Sequence, residues 1–184
     1  GYRDAGVHEV TPQATILLKA GTDGKVVTAD MLLLETVDDR LVQQVTSHPI
    51  FRPAVNALHN VEVFPPLLSR FVRFTVHDTN RSHPGIDELE VFSGKENIAL
   101  ASRGTRPTAS STLPNYPIHK LEHINDGKFG NSHSWISNEA DRGWVQLEFP
   151  QATTIERVVW ARDREGKYSD RVATKYVIES SLDG

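Results

Sequence analysis

The residues best equipped for chemistry lie in loops. Ala161-Arg162-Asp163-Arg164-Glu165-Gly166-Lys167-Tyr168-Ser169-Asp170-Arg171 is the most charged piece of the chain. An Arg guanidinium offers a planar fork of donors that can bridge two hydroxyls or a carboxylate, and an aromatic ring can stack on the apolar face of a sugar. With Trp135, Asn138 and the turn carrying Asp78 and Asn80 as neighbours, Arg162, Arg164 and Tyr168 would line a shallow carbohydrate site. The competing reading is a solvated or internally salt-bridged loop in which Asp170 and Arg171 lock the next strand. A second loop runs from His123-Ile124-Asn125-Asp126-Gly127 to Trp135. There Asp126 can cap backbone N–H groups in a tight turn.

Other chemistries find little support. Of the eight histidines, His119 and His123 are four apart, but Pro117 and the following Asn-Asp-Gly argue against a helix presenting both, so the pair reads as loop scatter rather than zinc ligation. There is no Gly-x-Ser-x-Gly elbow, no phosphate-cradling Gly-rich loop and no cysteine to serve as a thiol nucleophile. Asp38-Asp39 and Asp87-Glu88 are adjacent, and neighbours on a strand point to opposite faces, so neither pair can flank one bond. Acid/base work from the loop between Asp163 and Asp170 has nothing in its favour, and the chain reads as non-catalytic.

Short strands must position these loops. Val145, Leu147 and Phe149 alternate with Trp144, Gln146 and Glu148, the period of a strand with one face buried. Val72, Phe74 and Val76 alternate in the same way with Arg73 and Thr75. The turn from His77 to Gly85 leads to a second strand, Ile86 to Phe92. Ile155 to Trp160 and Tyr176 to Leu182 are further strand-length runs, and Gly, Pro, Asn or Asp closes each before a helix has room to form. Ala14 to Ala20 reads as a strand and Gly21-Thr22-Asp23-Gly24 as its turn. Met31 to Leu34 and Leu41 to Val45 fit either a helical face or a doubly buried strand. Pro49, Pro53, Pro65 and Pro66 mark a segment that is mostly loop.

Taken in order, Asn-Asp-Gly, a loop, Trp135, Trp144-Val145-x-Leu147, Ile155-x-x-Val158-x-Trp160 and Arg171-Val172-x-x-x-Tyr176-x-Ile178 resemble the first two thirds of a discoidin domain, the coagulation-factor type C or galactose-binding-like family. Arg70-Phe71-Val72-Arg73 with Glu88-Leu89-x-Val91-Phe92 resembles the last two strands of that family, and Asn97-x-Ala99 with Ala109-Ser110-Ser111 resembles its beginning. The resemblance implies an all-β jelly-roll β-sandwich with its closing strands placed ahead of its start. One circularly permuted sandwich over 1–184 is the reading adopted, because half a sandwich would expose apolar faces and unpaired edges. The alternative is the end of one sandwich at 1–94 and the start of another at 97–184. In the family the Asp-Gly loop often wraps a structural calcium. Carried over by position, the ligands would be the His123 and Lys128 carbonyls, the Asp126 carboxylate, an oxygen from Asn131 to Ser134, the Asp87 carbonyl and the Glu88 carboxylate; oxygen donors suit that hard cation. The family places part of its ligand rim where the 161–171 loop lies, and often half-buries the Trp that matches Trp135.

Composition narrows the partners. With 184 residues, 38% apolar, 24% charged and a formal charge of -4, the chain can bury a sizeable core. Its basic residues form no stripe with interleaved aromatics, which argues against nucleic acid. No apolar run approaches a membrane span of about 20 residues. Gly1-Tyr2-Arg3 and Leu182-Asp183-Gly184 read as the edges of an excerpt from a larger secreted, periplasmic or cell-surface protein. The expected function is recognition of carbohydrate; the rivals are a module that docks on neighbouring domains and an accessory part of an enzyme's active site.

Overall fold

Two long antiparallel strands, β1 (Asn60–Thr79) and β7 (Gly143–Ala161), form the spine of the computed structural model, which describes residues 53–184. Around them lie β2 (Gly85–Ile86), β3 (Glu88–Ser93), β4 (Glu96–Asn97), β5 (Arg106–Ala109), β6 (Trp135–Ile136) and β8 (Ala173–Ser181). Six of the strands make one sheet in the order β4-β3-β7-β1-β8, with β5 also pairing β7, while β2 and β6 pair separately. The described fold is thus all-β and antiparallel. The strand and helix readings at 14–20, 31–34 and 41–45 lie outside the described residues, as does the part of the 1–184 domain reading that covers 1–52.

The spine is divided by its prolines. Ladder pairing of β1 with β7 shifts register between Val63 and Leu67, where Pro65 and Pro66 sit, and again between Ser69 and Phe71, opposite Pro150. Proline has no N–H to give a ladder, so it is tolerated where pairing is already interrupted. Of the segment read as mostly loop, 49–52 lie outside the described residues and 53–59 are irregular, but 60–66, with Pro65 and Pro66, belong to β1; the reading of 143–149 and 155–160 as separate strands is likewise corrected. The prolines bulge continuous strands instead of ending them.

Each half of the spine has its own neighbours. Phe71–Val76 pairs with Gly143–Glu148 on one side and with Tyr176–Ser181 on the other. Asn60–Val63 pairs with Arg157–Trp160, which in turn pairs with Glu88–Phe92. Both halves feed one apolar cluster, in which Val72, Phe74, Val145 and Leu147 from the first meet Leu89, Val91, Val158 and Trp160 from the second. Phe74 meets Trp160 edge to face, 5.1 Å between ring centroids, and Tyr176 stacks on Phe74 at 4.7 Å. The sheet therefore brings residues 60–93 and 143–181 around a shared interior, and so carries the 161–171 loop to the same end as the Asp87-Glu88 segment.

Candidate functional site

The loop after Asn125 is held by two neighbouring acids, Glu88, which opens β3, and Asp87 just before it. Gly127, whose φ of +77° suits glycine, donates its N–H to both oxygens of Glu88, at 3.1 and 3.3 Å. Glu88 is fully buried, and that desolvation pushes its carboxyl up to about 9, with the nearby Asp126 charge adding to the rise and the Gly127 hydrogen bond opposing it. Immediately before the strand, Asp87 Oδ2 accepts the Gly130 N–H at 2.9 Å and the Arg164 N–H at 2.7 Å. One buried oxygen thus staples the 126–134 loop to the 161–171 loop. Burial raises the Asp87 carboxyl while these two amides pull it down, and its Oδ1 has no partner among the described residues.

Asp126 does cap its own turn, accepting the Lys128 N–H on Oδ1 at 2.8 Å, and its Oδ2 lies 3.0 Å from His133 Nδ1. His123 stands beside them, its ring centroid 5.0 Å from that of His133. One ligating atom from each of His123, Asp126 and His133 falls within 4.8 Å of the others. His119, the histidine that sequence spacing pairs with His123, is instead buried against Ser134 Oγ at 2.9 Å. Burial lowers it to about 4, with the Arg162 and Arg171 charges adding to the effect. His133 went unnoticed in the sequence, since nothing in its spacing from His123 implies a regular element.

The charged loop is largely bonded to itself and to its neighbours. Arg162 is 2% exposed, with Nη2 2.9 Å from Asn131 Oδ1 and Nε 3.1 Å from the Asp170 carbonyl. Desolvation lowers its pKa against the opposing pull of Asp170 and Asp163. Asp163 accepts the N–H groups of Glu165, Lys167 and Tyr168, which fixes the loop's curvature. Arg164 pairs with Glu90 and lies over the Phe129 ring at 4.3 Å. Trp135 is fully buried and donates Nε1–H to the Ser111 carbonyl at 2.9 Å. Neither Arg162 nor Trp135 has surface to offer a solute. Tyr168, 44% exposed, and Phe129, 40% exposed, do.

The remaining site residues lie on adjoining turns. Asn80 donates Nδ2–H to the Ser169 carbonyl at 2.7 Å and accepts the Val172 N–H at 2.9 Å, so it ties the 77–80 turn to the charged loop. Asp78 is exposed and accepts the Thr79 N–H. Asn138 is exposed on a turn whose Asp141 takes a hydrogen bond from Thr79 at 2.8 Å. Asn131 and Lys128 stay in the Asp126 loop, Asn131 engaged by Arg162 and Lys128 by Asp126. The strands thus gather these turns at one end.

Comparison with protein-family models, with curated proteins and with solved structures finds no match. What the site can do is therefore argued from its own chemistry. Glu88 and Asp126 flank Gly127, and the Gly127 N–H and the Arg164 charge do not offset the burial of Glu88, so a hard cation placed beside them would relieve both the desolvation and the repulsion.

Proposed function

We propose that this chain is a non-catalytic carbohydrate-binding module of the discoidin, galactose-binding-like type, a circularly permuted jelly roll within a larger extracytoplasmic protein. The observation that carries the reading is the Asp87 staple, which joins two loops into one platform with Phe129 and Tyr168 displayed on it. Exposed rings flanked by the bonded Arg164 guanidinium and by the polar Asn131, Glu165 and Lys167 match what a sugar needs, apolar faces to stack on and donors to its hydroxyls. Calcium would be held by the Asp126 and Glu88 carboxylates with carbonyls of the same loop, and would brace the platform. The permutation is supported by the Arg-Phe-Val-Arg strand, which pairs with strands far along the chain on both sides. So shallow a platform buries little area, and useful affinity comes from several modules acting together.

Glycan-array binding followed by affinity electrophoresis tests this. Tyr168→Ala and Phe129→Ala should each weaken binding by about tenfold, the effect of losing an aromatic contact of about 1–1.5 kcal/mol, at unchanged thermal midpoint. Variants that bind like the parent would refute the platform. A folded parent silent across a broad array would favour docking on a neighbouring domain, a reading supported by Val61 and Val63, 39% and 73% exposed on one side of β1.

A further inference from the structure

We propose that His123, Asp126 and His133 form a surface site for one borderline divalent transition-metal ion of the zinc class, which shares the Asp126 carboxylate with the calcium proposed beside Glu88 and adds two imidazoles that calcium does not use. The nitrogen chemistry comes first. His123 Nδ1 lies 3.0 Å from the Ile118 carbonyl, an oxygen that only accepts, so Nδ1 carries the proton and Nε2 keeps its lone pair for a metal. His133 Nδ1 faces Asp126 Oδ2 at 3.0 Å. That contact is close to the edge between two ligands that share a metal at about 2.0–2.1 Å, and it equally suits a carboxylate orienting a histidine that ligates through Nε2. Either way two imidazoles and one carboxylate converge, their ligating atoms within 4.8 Å of one another and all three side chains half-buried. Imidazole pairs select zinc, copper or nickel over calcium and magnesium, whose preference is for oxygen.

Local contacts fix the two turns that carry the histidines. His123 sits at the middle of one 3-10 turn, Leu121–Asn125, and His133 closes another, Asn131–His133. The first is anchored by buried Ile124 and Asn125, the second by the Gly130 N–H on Asp87 and the Ser134 hydroxyl on the Asn131 carbonyl at 2.9 Å. Three protein ligands leave a coordination position for water or for a donor from outside, as in zinc sites that are not purely structural. A bound ion would clamp the turns together and stiffen the loop that carries Phe129.

Calorimetric titration of zinc chloride into the chelator-stripped chain at pH 7.5 tests the assignment. One equivalent should bind, millimolar calcium should not displace it, and His123→Ala and His133→Ala should each weaken it by at least about tenfold. His77→Ala, which removes an exposed histidine elsewhere, should leave it unchanged. Substoichiometric copper added to the unmutated chain should broaden the ring protons of His123 and His133 before those of other histidines, a readout that needs no variant to fold. Parent-like affinity in both histidine variants, no zinc uptake by the parent, or first broadening elsewhere would each overturn the site.

Discussion

Removing the Asp87 carboxylate should loosen two loops at once. Its Oδ2 accepts amides from Gly130 and Arg164, 2.9 and 2.7 Å away in different loops. A hydrogen bond to a charged acceptor contributes about 1.5–3 kcal/mol, so the pair is worth about 3–6 kcal/mol before the burial of the acid is subtracted. That burial raises the Asp87 carboxyl and brings the net loss on Asp87→Ala to about 3 kcal/mol. Asp87→Asn keeps an oxygen that can accept both amides and puts an N–H₂ where the unpartnered Oδ1 now lies. It should cost about 1 kcal/mol. Urea unfolding followed by the fluorescence of buried Trp135 and Trp160 measures both, and amide exchange at Gly130 and Arg164 should rise far more in the alanine variant. Equal costs for the two variants, or unchanged exchange at those amides, would refute the staple.

Two further outcomes follow from the same loops. Glu88 has a folded value of about 9 against an ordinary 4.5, so its contribution to stability is complete below pH 4.5 and is lost as pH rises through 9. His119, at about 4 against 6.5, contributes fully above pH 6.5 and loses that contribution as pH falls through 4. Above pH 6.5 Glu88 therefore acts without the opposing slope of His119. In chelator, stability should fall by about 1.4 kcal/mol per pH unit up to pH 9, about 3 kcal/mol in all, and Glu88→Gln should flatten that decline; parallel profiles in urea titrations would exclude it. Gly130→Ala places a Cβ 2.5 Å from Glu165 Cδ at a φ of +90° and ψ of 169°, a region essentially reserved to glycine, and should cost about 2–3 kcal/mol. Adding Glu165→Ala should return the steric part and leave the backbone part, which thermal melts of the single and double variants separate.

Much of the fold was legible because burial on one face leaves a two-residue period. Val72, Phe74, Val76 and Val145, Leu147, Phe149 are all buried, as their alternation implied. What misled was proline. A Pro between apolar runs reads as a stop, whereas Pro65, Pro66 and Pro150 sit at register shifts within strands that continue beyond them. Telling a bulge from an end requires the partner strand, and its residues lie 67 (Val76 with Gly143) to 100 (Asn60 with Trp160) positions away, outside any local window.

The site was legible in a different proportion. Charge density found the 161–171 loop, but it could not say which charges point inward. Arg162 fills the space beside Gly85, where an added Cβ would lie 3.0 Å from its Nε, and it is fixed by Asn131 from a loop 31 residues earlier. The exposed rings follow from what that packing leaves outside. The histidine pair is subtler still. Sequence spacing reveals ligands when the backbone between them is regular, and here His123, Asp126 and His133 are separated by irregular turns whose course is set by Asp87 and Glu88 at the start of β3. The Asp87-Glu88 pair at the start of β3 therefore decides where the three ligands meet, and a change at Asp87 that never touches a metal should weaken zinc binding by releasing Gly130 and the turn that carries His133.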